Sequence, residues 1–420
     1  MTAPLAGHFD QARDHPPDYP LPRAEGCPLD PPPAFATLRA EAALVRVRIW
    51  DGSTPWLVTR YAEQRALLAD PRVSADITRP GFPHGTAAVR KRASRVHTFL
   101  NMDDPEHSRL RRMVTAQFTA RRAEGMRPAI QAIVDDAVDN LLALPKPADL
   151  VTALALPVPS LVICRLLGVP VADQDFFQHC TRIQANPYAD DETHRQTQIE
   201  FLSYLDGLIE EKLAAPDDGL LSQLVTERLA SGELTRRETA VMGMLMIAAG
   251  HQTTANMIAL STLTLLRHPD QLAVLREIED PRALTTAVDE LFRYISVVEG
   301  RRRVALEDIE IDGRLIRAGD ALIMPADMAD RDPSVFENPD RLDLAGHSHR
   351  HMALGFGAHQ CLGQHLARTE LEIVFSTLLR RIPTLALAVD ITDLRFTNEG
   401  LRGVHELPVT WSAGGQLPLS

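Results

Sequence analysis

A single cysteine stands among glycines in the stretch Leu354-Gly355-Phe356-Gly357-Ala358-His359-Gln360-Cys361-Leu362-Gly363. From Leu362 onward apolar residues recur at helical spacing (Leu362, Leu366, Ile373, Val374, Leu378), which predicts a helix opening just at the cysteine. A thiol there would lie near free backbone N–H groups and the positive end of the helix dipole, a setting that favours the thiolate. Glycines let the backbone run close to something flat or bulky. A low-pKa cysteine held in this way suits a soft metal, and haem iron in particular. The plain alternative is a small buried hydrophobe, the commoner fate of a lone cysteine.

Other residues invite chemistry too. Ala248-Ala249-Gly250-His251-Gln252-Thr253-Thr254 interrupts an apolar helical run with small and hydroxylated residues. Threonine can hydrogen-bond to the carbonyl one turn earlier and bend a helix. Such a stretch describes either a local opening with a hydroxyl facing a cavity or a close helix–helix contact. Glu290 and Arg293 fall on one helical face, as an exposed ion pair or a buried one. His107, Arg111, Arg303 and His359 are candidate partners for an anionic ligand, and the two propionates of a haem would need such partners once buried.

These residues need elements to hold them. Residues 1–33 read as a proline-rich lead-in. A short helix follows, then strands Val45–Trp50 and Trp56–Thr59 about the turn Asp51-Gly52. Residues 61–70 are helical up to Pro71; residues 74–98 lose their period and form a long basic loop, a lid or simply mobile surface. From Asp104-Pro105 to about residue 300 the pattern is helical. Within it Thr235 and Glu238 form a capping-box signature before a buried helix that runs to Arg267-His268, where Pro269 stops it. Asp312-Gly313 marks a second hairpin, and Leu407 to Trp411 a closing strand. The fold class is mainly α with small β-sheets, and with no linker in sight residues 1–420 form one catalytic domain.

The 420 residues carry a net charge of −12 and no dominant basic block, which argues against nucleic acid as a partner. Four cysteines (Cys27, Cys164, Cys180, Cys361) show no paired spacing, which suits a reducing cytoplasm. The N-terminus lacks a signal-peptide pattern, and the apolar run Val241 to Gly250 is too short to span a bilayer. A cytoplasmic monomer without a membrane anchor is expected.

The chain resembles a cytochrome P450, a haem-thiolate monooxygenase. Gly357, His359, Cys361 and Gly363 fit that family's cysteine-loop signature, Glu290 and Arg293 its Glu-x-x-Arg motif, and Ala249 to Thr254 its oxygen-binding helix. Leu156-Pro-Val-Pro-Ser160 and Cys164-Arg-Leu-Leu-Gly168 look like the soluble actinobacterial members that oxidise polyketides, statin precursors and vitamin D. The resemblance implies that the fold places a haem b between a long central helix and the cysteine loop. Cys361 would bind the iron, and His107, Arg111, Arg303 and His359 the propionates, with Gly357 shaping the loop. Thr253 would hydrogen-bond O2, with Gln252, Gly250 and Ala249 beside it. Glu290 and Arg293 would be structural. Arg79, Phe82, Ile247, Ala248, Ile295, Val297, Val298 and Leu401 would meet a bulky hydrophobic substrate such as a polyketide, macrolide, terpenoid or sterol-like molecule, which is then hydroxylated or epoxidised. Electrons would come from NAD(P)H through a ferredoxin reductase and a ferredoxin, the latter meeting Arg109, Arg112, Arg121 and Arg122.

Two residues depart from the family pattern. Gln252 stands where an acid is common, and an amide cannot relay a proton as a carboxylate does. Leu354 replaces a phenylalanine beside the thiolate. The first leaves room for peroxide-driven oxidation, or for ring formation and coupling without net oxygen insertion. A more distant reading takes His347, His349, His351, His359, Cys361 and His365 as a His/Cys metal-binding run.

Overall fold

The structure, a computed structural model, describes residues 15–24, 29–93, 95–346, 348–398 and 400–412. Much of the expected lead-in, Cys27, His347 and Glu399 therefore lie outside the described residues.

The helical block is built around one long helix, Arg236–Arg267, called the central helix below. The Thr235 side chain accepts from the Glu238 N–H at 3.2 Å, and the Glu238 carboxylate accepts from the Thr235 N–H at 2.8 Å, so both halves of the capping box form. Its far end lies at Arg267, and Pro269 opens the next helix, Pro269–Glu277. Proline's missing N–H is harmless in a first turn and disruptive in a continuing helix. The central helix has 32 residues, about 50 Å at 1.5 Å per residue. Met242, Leu245, Ile247, Ile258 and Leu263 bury it in the main core. Helices Pro157–Leu167, Gln174–Ala185 and Asp191–Ala214 pack along it. A second pairing, Ala120–Ala143 against Gln364–Arg381, backs the cysteine loop. Among the described residues no helix is long and apolar enough to cross a membrane.

The sheets are small. A five-stranded mixed sheet runs in the order Leu44–Arg46, Trp56–Val58, Ala321–Met324, Arg301–Ala305, Val73–Ser74. The first two strands pair antiparallel with Val45 opposite Leu57, as the hairpin signal requires, but the first is shorter than the expected Val45–Trp50. Val47 donates to the Pro55 carbonyl, and proline has no N–H to return, so the ladder stops. In the second hairpin, Ile309–Ile311 and Arg314–Ile316, Asp312 and Gly313 both take positive φ (50° and 67°), as a two-residue turn of this kind demands.

The stretch 74–98 is not wholly irregular. It holds a short helix, Ala87–Arg92, capped by the Thr86 side chain on the Val89 N–H. Six residues are too few to show a period, and the helix is anchored by ion pairs to a distant segment, which local sequence cannot reveal. Among the described residues the protein is thus mainly helical with four small sheets.

Candidate active site

The cysteine loop is fixed from behind. Gly357 adopts φ +74°, and a Cβ there would lie 2.1 Å from the Leu68 carbonyl oxygen, at the end of helix Tyr61–Ala69. Only glycine lets the loop lie on that backbone. The close approach expected of Gly357 is therefore made to the protein's own helix. The Cys361 N–H donates to the Leu354 carbonyl at 2.8 Å, closing the loop on itself. Leu354 is half-buried against the main core.

Cys361 does not sit in a helical first turn. The helix Gln364–Arg381 begins three residues later, with Gly363 at its cap. Burial pushes the Cys361 thiol up, against the opposing pull of the Gly363 N–H and, more weakly, of Arg111, Arg301 and Arg368. The expectation that the thiolate is favoured there is thus corrected: burial outweighs the Gly363 N–H and the nearby cations. A coordinated metal ion removes the proton of a thiol outright, so the buried thiol is not an obstacle to ligation.

The four cationic candidates converge. The His107 and His359 rings lie in contact, tilted by 37° with centroids 4.1 Å apart. Arg111 donates to the Gln360 carbonyl at 2.6 Å, which ties helix Glu106–Thr115 to the residue before the cysteine. Burial and the charges of Arg303, His107 and Arg111 lower His359 to about 3. Arg303 is itself lowered to about 10 by burial and by Arg301. His107 Nε2 and His359 Nδ1 are buried with no hydrogen-bond partner, and Arg301 Nη1 shares that condition. Buried polar atoms normally have partners. A cluster of donors next to a thiol, several of them unsatisfied, fits the carboxylate edge of a haem whose iron the thiol would bind. Arg301 was missed in the sequence, although it stands two residues before Arg303 in one strand and so faces the same side.

On the central helix, Ala249 is exposed and Thr253 half-exposed, while Ile247 and His251 are buried. Positions i and i+4 share a face, so these two mark one accessible side of the helix, with Ala248, Gly250 and Gln252 half-buried beside it. Thr253 Oγ1 donates to the Ala249 carbonyl at 2.7 Å, the back-bond its type allows, and leaves its lone pairs on that side. Gly250 points elsewhere: a Cβ there would meet Ile163 Cδ1 at 3.2 Å, so its smallness serves contact with helix Pro157–Leu167. Gln252 is half-buried and donates to Asn256 Oδ1 at 2.9 Å. Asn256 in turn occupies the space over Gly403, where a Cβ would lie 2.7 Å from its side chain. Gln252 and Asn256 border a cavity of about 700 Å³ lined also by His179, Arg182, Ile183 and Leu401.

Glu290 and Arg293, on helix Pro281–Tyr294, are a buried pair, with side chains 2% and 4% exposed. Arg293 Nε and Nη2 reach the two carboxylate oxygens at 2.6 and 2.8 Å, and its remaining donors go to the carbonyls of Asp330, Pro339 and Arg341. Glu290 also accepts from Asp343 N–H and Ser348 Oγ. One ion pair thus pins the segment that leads into the cysteine loop.

The expected substrate contacts divide. Phe82, Ala248, Val298 and Leu401 keep accessible surface, and Val298 bridges Leu401. Ile247, Ile295 and Val297 are packed into the main core, 1%, 3% and 7% exposed, and do not face open space. Arg79 is held by Asp76 and Asp103. Arg90 pairs with Asp51, while Lys91, Arg92 and Arg95 all converge on Asp191. The basic stretch is therefore largely neutralised within the protein. In the same way Arg109 is taken by Glu106 and Glu238 and leaves the expected ferredoxin patch to Arg112, Arg121 and Arg122, which are exposed.

Comparison with known proteins identifies the family. Residues 80–386 match the family model for cytochrome P450. The protein named cytochrome P450 GfsF, from Streptomyces halstedii, is 50% identical over 96% of this chain and 98% of its own. Its crystal structure superposes with a TM-score of 0.89, covering 94% of this chain and 100% of that one. Mycinamicin VIII C21 methyl hydroxylase from Micromonospora griseorubida, crystallised with mycinamicin VIII, is 44% identical over 94% of this chain and 100% of that one, with a TM-score of 0.88. Cytochrome P450 CYP105Q4 of Mycobacterium marinum is 48% identical over 98% of this chain and 100% of its own. The chain belongs to the cytochrome P450 family, and it is a monooxygenase of the kind that uses haem iron and O2.

Proposed function

We propose that this P450 hydroxylates or epoxidises a bulky hydrophobic natural product of polyketide, macrolide, terpenoid or sterol-like type, as one catalytic domain. The observation that carries the reading is the meeting of Cys361 with a cluster of buried donors, several unpartnered, in a fold whose central helix leaves Ala249 exposed and Thr253 half-exposed on one face mid-length. The relatives named above, one of them a hydroxylase crystallised with mycinamicin VIII, support the substrate class.

A bound haem b supplies O2 activation and an oxidant strong enough for unactivated C–H bonds. The chain's own residues do the rest. Cys361 holds the iron as thiolate, and the Gly363 N–H donates to its sulfur. His107, Arg111, Arg303 and His359 hold the propionates. Thr253, its proton engaged with the Ala249 carbonyl, offers lone pairs to a donor on the oxygen side and can turn to donate. Gln252 orients solvent through the Gln252–Asn256 hydrogen bond instead of carrying a proton. Phe82, Ala248, Val298 and Leu401 present apolar surface to the guest. Electrons arrive from NAD(P)H through a ferredoxin reductase and an acidic ferredoxin docked on Arg112, Arg121 and Arg122.

The Gln252 amide favours one second reading: peroxide-driven oxidation, or coupling without oxygen insertion, which places less demand on proton delivery. The test is a screen of hydrophobic natural products by shift of the Soret band, followed by turnover under labelled O2. One labelled oxygen in the product supports monooxygenation; an unlabelled, cross-linked product supports the second reading and overturns the first.

A further inference from the structure

Arg301 is not among the four residues to which the sequence assigned the propionates. It opens the strand Arg301–Ala305, opposite Met324, and its Nη2 donates to the Ala353 carbonyl at 2.8 Å. Its Nε lies 3.3 Å from where a Cβ on Gly355 would stand, so the guanidinium rests against the cysteine loop. Nη1 is buried and has no hydrogen-bond partner. A guanidinium is always charged, and a buried charge without an anion is costly.

Among the described residues no carboxylate is hydrogen-bonded to Arg301. Asp330 is the acid that acts most strongly on Arg301, but its Oδ1 accepts from the Met352 N–H, and burial pushes its carboxyl up, against the charged form. Asp103, the acid acting on Arg303, is engaged by Ser74 Oγ and the Ala75 N–H. Arg301 and Arg303 repel one another, and the charge of Arg301 also reaches Cys361. Two like charges held on one strand face, beside a thiol and near two unsatisfied histidines, form a site for an anion.

We propose that Arg301 is a further cofactor-binding residue, donating from Nη1 to a carboxylate of the haem while Nη2 braces the Ala353 carbonyl. The inference rests on the haem-thiolate reading and adds a residue to it. Arg301 thereby links the carboxylate edge of the cofactor to the loop that carries its iron ligand.

The test uses purified holoenzyme of wild type, R301K and R301M. Haem transfer to excess apomyoglobin and the resonance Raman spectrum are both recorded. Loss of one charge-assisted hydrogen bond predicts about tenfold faster haem transfer for R301M, with R301K in between. The propionate-bending band should move in R301M while the iron–sulfur stretch stays. Transfer within twofold of wild type overturns the proposal. So does faster transfer with a displaced iron–sulfur stretch and an unmoved propionate band, because Arg301 would then only brace the loop. If R301M does not retain haem, the same bands in R301K and R301Q decide. A wild type without a thiolate-haem spectrum would instead overturn the haem-thiolate reading itself.

Discussion

Substituting Glu290 by glutamine removes one charge and almost no volume from the pair behind the cysteine loop. Both carboxylate oxygens are fully used: Oε1 accepts from Arg293 Nη2 and the Asp343 N–H, Oε2 from Arg293 Nε and Ser348 Oγ. An amide turns one of these acceptors into a donor that faces two donors. It also leaves the Arg293 guanidinium, 4% exposed, without its counter-charge. Breaking a buried pair from one side costs about 3–5 kcal/mol. With an unfolding entropy of ~2.1 cal/mol/K per residue, 420 residues give about 0.9 kcal/mol/K, so Tm should fall by about 3–6 °C. Urea unfolding followed by circular dichroism and by the Soret band gives the free energy directly. Glu124→Gln, in the exposed pair with Arg127, is the control and should scarcely move the midpoint. A double variant, Glu290→Leu with Arg293→Met, should recover part of the loss, because it leaves no buried charge. If E290Q costs less than about 1 kcal/mol, as an exposed pair would, the argument from burial is wrong.

Three further outcomes follow from single residues. Gln252→Glu should lower the peroxide released per electron pair by restoring an acid beside Thr253; an unchanged or higher yield would show that the amide already suffices. Glu370 is fully enclosed, and burial raises it to about 8, so its neutral form stabilises the fold below about pH 4.5 and that contribution is lost as pH climbs through 8. Glu370→Gln should therefore unfold like wild type at pH 5 and later than wild type in urea at pH 8.5, whereas a constant offset at both would contradict the assignment. Asp191→Asn frees Lys91, Arg92 and Arg95 from their common partner and should loosen the helix Ala87–Arg92. Stopped-flow Soret shifts should then show substrate association faster by about twofold or more at low salt, the gap closing as salt screens the wild-type contact, and equal rates at low salt would remove the latch.

Much of the site could be read from the chain because it is local. The capping box at Thr235 and Glu238, the turn at Asp312-Gly313 and the Glu290–Arg293 spacing each declare themselves within a few residues, and each forms. Chemistry that depends on desolvation did not show. Cys361 looked like a favoured thiolate from its place before a helix, yet burial outweighs that effect. The close contacts that small residues allow at Gly250 and Gly357 were legible as contacts, but their partners, Ile163 and the Leu68 carbonyl, are brought there only by the packed fold. The ion pairs that hold the basic stretch near residue 90 could not be read from the chain, because Asp51 and Asp191 lie far away in sequence. Arg301 was within reach, since strand alternation places it with Arg303, but its unsatisfied Nη1 is visible only in three dimensions.

The central claim is that Cys361 ligates haem iron in this chain. The direct test is the carbon monoxide difference spectrum of the reduced protein, recorded for wild type and for Cys361→Ser. The account predicts a strongly red-shifted Soret band of thiolate-ligated haem in the wild type and its loss in the variant. A wild type without haem absorbance, or a variant that keeps the red-shifted band, would contradict it.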